Sequence, residues 1–144
     1  MSNEVKVDAE SIKKSAEDLV ELIKLRTFPF GMKLFENVDD MLSVKGLRTP
    51  SDGKFFTTCQ LVTQVRTAGF TLGIVQNNLR PGSSCGANIG LEVVPEDVSS
   101  GQKMTGVWFG NQEAAAKHQA QMPRVEAGKY TGLAASPLRT GRLD

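Results

Sequence analysis

The stretch Phe55-Phe56-Thr57-Thr58-Cys59-Gln60-Leu61-Val62-Thr63-Gln64-Val65-Arg66-Thr67-Ala68-Gly69-Phe70-Thr71-Leu72-Gly73-Ile74-Val75 carries a helix, its stop and a strand in one run. Thr57 and Gln60 stand at capping-box spacing, where a hydroxyl and a side-chain amide satisfy two orphan backbone donors. Phe55 to Ala68 reads as a helix, with Leu61, Val62 and Val65 at helical spacing and facing inward and Gly69 as the C-terminal stop. Phe70 to Val75 then reads as a strand. A helix feeding a short apolar strand is the unit of a mixed α and β fold.

Working outward, the same alternation recurs. Residues 9–25 place Ile12, Ala16, Leu19, Val20 and Ile23 at helical spacing, with Lys13, Lys14, Glu17, Asp18, Glu21 and Lys24 opposite and Asp8 as cap. The expectation is an amphipathic helix packed on a core. Pro29 pushes Phe28 toward extended geometry, and Met32 to Phe35 reads as a strand. A short helical stretch follows from Asn37 or Asp39 toward Gly46, and residues 49–53 form a turn. Beyond Cys85, residues 87–94 fit a short helix or, at Val93 and Val94, a strand. Residues 104–110 read as a turn-bounded strand. Asn111 caps a third helix, Gln112 to Met122, which Pro123 ends, and Lys129 to Ala135 is the closing strand. The expected fold is α+β: residues 1–144 as a single compact domain, with three main helices packed on a small mixed sheet.

The chain has 144 residues, 40% hydrophobic and 23% charged, enough for a hydrophobic core. Seventeen basic and sixteen acidic residues give a net charge of +1, which offers no electrostatic capture of nucleic acid or an anionic membrane. No apolar run approaches the roughly 20 residues that cross a bilayer. The N-terminus lacks the apolar segment of a secretory signal, so a cytoplasmic location is expected. In that compartment two cysteines are expected to be free, metal-bound or redox-active rather than a structural staple.

Both cysteines stand at expected helix starts. Cys59 follows Thr57-Thr58, and Cys85 follows Ser83-Ser84, either of which serves as an N-cap. A thiol in a first helical turn meets unpaired N–H groups and the positive dipole end, which favour the thiolate. Twenty-six residues separate the pair, so neither a CxxC motif nor a compact zinc knuckle is present. Two thiolates suit half of an iron–sulfur cluster or a soft metal shared across a subunit interface. They equally suit a core, where free cysteine behaves as a small apolar residue. His118, the lone histidine, is the single ordinary base for a cysteine nucleophile, and nothing places it beside either thiol. The paired acids Asp39-Asp40 and Glu96-Asp97 belong on solvated turns. Arg80-Pro81-Gly82-Ser83-Ser84-Cys85-Gly86 combines glycines, serines and an arginine ahead of a helix, which suits an anion. It matches neither a Walker A loop nor GxGxxG.

The ordered set of Leu25-Arg26-Thr27-Phe28-Pro29-Phe30-Gly31-Met32-Lys33, Phe56-Thr57-Thr58-Cys59-Gln60, Cys85-Gly86-Ala87 with Gly90-Leu91, Met122-Pro123-Arg124, Gly128-Lys129-Tyr130 and Ala135-Ser136-Pro137-Leu138 resembles the uncharacterised family called domain of unknown function 169. The resemblance spans roughly residues 20 to 140 and implies that both cysteines are family features, without supplying a reaction. It also implies that this chain corresponds to the N-terminal half of a longer architecture. The expected function is a ligand- or metal-binding subunit with a two-thiol site: Cys59, Cys85, Gln60, Arg80, Ser84 and Gly86 bind, and the thiols ligate an iron–sulfur cluster or soft metal. Protein subunits, as a homo- or hetero-oligomer, and a small anionic ligand are the expected partners, with no nucleic acid and no membrane. A stand-alone cysteine-dependent enzyme and a purely structural interaction subunit remain as alternatives.

Overall fold

The computed structural model describes residues 8–82, 84–140 and 143. In chain order it contains α1 (Ala9–Ile23), β1 (Phe30–Phe35), α2 (Val38–Leu42), β2 (Leu47–Arg48), α3 (Thr58–Ala68), β3 (Thr71–Val75), α4 (Ser84–Asn88), α5 (Glu96–Ser99), α6 (Gln112–Gln121) and β4 (Gly132–Pro137). The strands form one mixed sheet in the order β1-β4-β3-β2. β4 runs antiparallel to both β1 and β3, and β2 runs parallel to β3. This is the α+β domain expected, with α1, α3 and α6 as its long helices.

β4 is the centre of the molecule. All six of its residues are buried, because it has a strand on each side and apolar matter on both faces. Its side chains alternate accordingly: Leu133 and Ala135 join Leu61, Val65, Ile74, Leu79 and Leu91, while Ala134 joins Phe35 and Met41. Leu133 is opposite Leu34 on one side and Ile74 on the other, so one leucine is shared by three strands. The buried hydroxyls of Thr71 and Ser136 satisfy each other at 2.7 Å.

α3 forms where its caps place it. Thr57 Oγ1 accepts from the Gln60 N–H at 3.1 Å, and the Gln60 side-chain oxygen accepts from the Thr57 N–H at 2.9 Å. Gly69, in the left-handed region at φ 72°, turns the chain into β3. α6 begins as expected on Asn111, whose side chain accepts from the Ala114 N–H at 2.8 Å.

Several elements differ from expectation: the acid pairs Asp39-Asp40 and Glu96-Asp97, expected on turns, lie in α2 and α5, and β2 is an unforeseen strand. Residues 104–110 form a turn in place of a strand: Gly106 takes φ 78°, and the N–H groups of Val107, Trp108 and Phe109 all point to the Met104 carbonyl. Val107 and Trp108 are left 73% and 77% exposed. The helix expected over 87–94 forms earlier as α4 and ends at Asn88, before Gly90 at φ 79°. β4 begins at Gly132 rather than Lys129. α1 keeps its Asp8 cap but ends at Ile23, two residues short of its expected span, and buries only Ala16; Leu22 and Ile23 are 79% and 60% exposed. No helix among the described residues is long and apolar enough to cross a membrane.

Candidate functional site: a pair of thiols between two helix starts

Cys59 is the second residue of α3 and Cys85 the second residue of α4, so both stand in first turns. The link between these turns is a short parallel bridge of Phe56 with Leu79. The Phe56 N–H donates to the Asn78 carbonyl at 2.8 Å, and the Arg80 N–H donates to the Phe56 carbonyl at 3.0 Å. From this clamp the chain reaches Cys59 in three residues and Cys85 in six. The two thiols lie near each other, close enough for Cys59 to act on the ionisation of Cys85. Both cysteines are free, Cys59 exposed and Cys85 half-buried.

The electrostatics run against the activation expected for Cys85. Burial pushes the Cys85 thiol above its ordinary value, negative charge on Cys59 pushes it further, and Cys59 as an acceptor favours the Cys85 thiol keeping its proton. Ser84, the residue before it, pulls the other way, as the smallest of the four effects. A thiol that loses water and faces a second sulfur resists ionising alone. It ionises readily when a cation arrives to neutralise both charges.

The remaining expected residues divide by role. Gly86 is structural: a side chain at this position would strike Leu79 beneath α4, so only glycine lets the Cys85 turn seat on the core. Gln60 lies beside Cys59 in sequence, but its side-chain oxygen is engaged in the cap. Arg80 is exposed at the head of the loop, positioned through its backbone bond to Phe56. Ser84 touches Cys85 directly. Ser83, expected as an alternative cap, lies outside the described residues.

Sequence reasoning missed Glu92. One carboxyl oxygen of this residue is buried without a hydrogen-bond partner among the described residues and lies 3.2 Å from where a Gly86 Cβ would stand. Burial raises its pKa. A single glutamate in Gly90-Leu91-Glu92-Val93 carries no periodic signal that marks it as buried. Thr58, beside Cys59, likewise buries an unpartnered hydroxyl. Among the described residues no three His, Cys, Asp or Glu side chains stand together as a metal site. His118 and Glu92 therefore do not complete a three-ligand set with the thiols.

The family model described as DUF169, "Uncharacterised ArCR", matches residues 18–143, nearly the whole chain. The chain belongs to this family. No curated protein and no solved structure matches it. The matched region contains both cysteines, both helix starts and the Phe56–Leu79 clamp that joins them.

Proposed function

We propose that the chain is a cytoplasmic binding module whose Cys59 and Cys85 thiols together hold a soft metal ion or one side of an iron–sulfur cluster. The observation that carries this reading is the thiol pair itself: two cysteines distant in sequence, brought near each other on two helix starts joined by a backbone clamp. Thiolates are the ligands that soft metals and clusters select. Two thiolates fill at most half of a tetrahedral site, so the remaining ligands come from a second subunit or from the bound species. That count, together with the exposed apolar side of α1, favours work within a larger assembly. Free thiols fit a reducing compartment.

Anaerobically purified protein is the material for the test. Metal analysis is expected to find iron, copper or zinc at a defined ratio to protein, lost in Cys59→Ser and in Cys85→Ser. Protein that carries no metal and takes up none from solution with both thiols reduced sinks the proposal.

A further inference from the structure

A cavity of about 360 Å³ opens between α4, the turn over residues 102–108 and α6. Its size is at the small end of the roughly 300–1,000 Å³ typical of organic-ligand sites. Ser84, Asn88, Lys103, Trp108, His118 and Gln119 supply its polar wall, and among the described residues no Asp or Glu lines it. Each of these side chains can donate a hydrogen bond.

The wall is positioned from behind. Arg124 donates through Nε to the Asn88 side-chain oxygen at 3.1 Å and through Nη2 to the Gln119 side-chain oxygen at 2.6 Å. With their oxygens turned to the guanidinium, both amides direct their N–H groups elsewhere, and that of Gln119 reaches the Met104 sulfur. Arg124 has no ion pair with an acid among the described residues, so its charge adds to the positive potential of the wall. Lys103 is oriented by the Gly82 carbonyl at 2.8 Å, with Asp97 at 3.8 Å partly offsetting its charge. The apolar part of the lining is soft and flat: Met104 and Met122 within, and the Trp108 indole at the rim. Such groups pack against rings.

We infer that this cavity binds a small aromatic carboxylate, its ring against Trp108 and the methionines and its carboxylate on Lys103 and the Asn88 amide. A phosphate monoester fits less well, because the wall offers a single lysine in place of an arginine fork or a nest of backbone N–H groups. Ser84 borders this cavity and also touches Cys85, so the ligand would lie next to the thiol pair. The inference stands without the metal reading.

Trp108 is the chain's one tryptophan and borders this cavity, so its fluorescence reports on the cavity mouth. Titration of the full chain with benzoate is expected to change that fluorescence saturably in the millimolar range. Benzamide, the neutral analogue of the same shape, is expected to bind about tenfold more weakly. Lys103→Gln, which alters an exposed side chain, should lower benzoate affinity to the benzamide level. The Cys59→Ser/Cys85→Ser double variant should bind benzoate unchanged, which separates this site from the thiol pair. No saturable change, equal binding of benzamide, or indifference to Lys103→Gln overturns the inference.

Discussion

A thiol at a helix start gains from the dipole, but Cys85 also loses water and shares its space with Cys59. The second pair of effects wins, and the thiol sits above its ordinary value of 9.0. Iodoacetamide at mildly alkaline pH should therefore label Cys85 more slowly than free cysteine; faster labelling would favour the nucleophilic alternative. A thiol whose folded pKa is raised stabilises the fold fully below its unfolded value and loses that contribution as pH rises through the folded one. Unfolding curves between roughly pH 8 and 10 should show the native chain losing stability relative to Cys85→Ser. Glu92 obeys the same sign at lower pH, since its raised pKa means the charged form is disfavoured in the fold. Glu92→Gln should thus stabilise the chain at neutral pH, by an amount that solvent screening keeps small, and the gain should vanish in acid, where the carboxyl is already protonated. A loss of stability at neutral pH would mean that the carboxylate has a partner.

At the scale of elements, the thiol pair depends on two helix starts being held in place. Thr57→Ala removes the hydroxyl half of the α3 capping box and should cost about 1 kcal/mol in denaturant unfolding. Gly86→Ala forces the first turn of α4 off Leu79 and should cost about 1–3 kcal/mol. It should also slow disulfide formation between Cys59 and Cys85 in oxidised glutathione, where each turnover makes one protein disulfide and releases two glutathione thiols. An unchanged rate would show that α4 does not need glycine to present its sulfur. The same comparison shows what was legible in the sequence. α3 and α6 announce themselves because cap, periodicity and stop agree. The apolar run from Met104 to Phe109 misleads because hydropathy does not distinguish a strand from a turn pinned on one carbonyl. α4 starts where its serines suggest but stops at Asn88, well short of Val94, as the chain turns at Gly90 with φ 79°, while Gly86 is set by Leu79, a contact made only in three dimensions.

In the molecule as a whole, β4 is the last strand in sequence and the central one in space, so the sheet closes only when the C-terminal segment arrives. α1 is the opposite case, an amphipathic helix with one buried residue. Its amides should exchange with deuterium well before those of β3 and β4. Leu22→Ser should change stability by less than about 0.5 kcal/mol, whereas Leu61→Ala in the core should cost about 2–5 kcal/mol. The helix-start placement of each cysteine could be read from local spacing. Their meeting could not, because it depends on the Phe56–Leu79 bridge and on packing that no local pattern encodes. The central claim is that these sulfurs form one site, and phenylarsine oxide, which binds stably only when two thiols converge, tests it most directly. Under excess monothiol, mass spectrometry of the native chain should find one phenylarsenic group bound and both cysteines protected, with no adduct on Cys59→Ser or Cys85→Ser. A native chain that takes up no arsenic, or that alkylates at both thiols in its presence, would contradict the account.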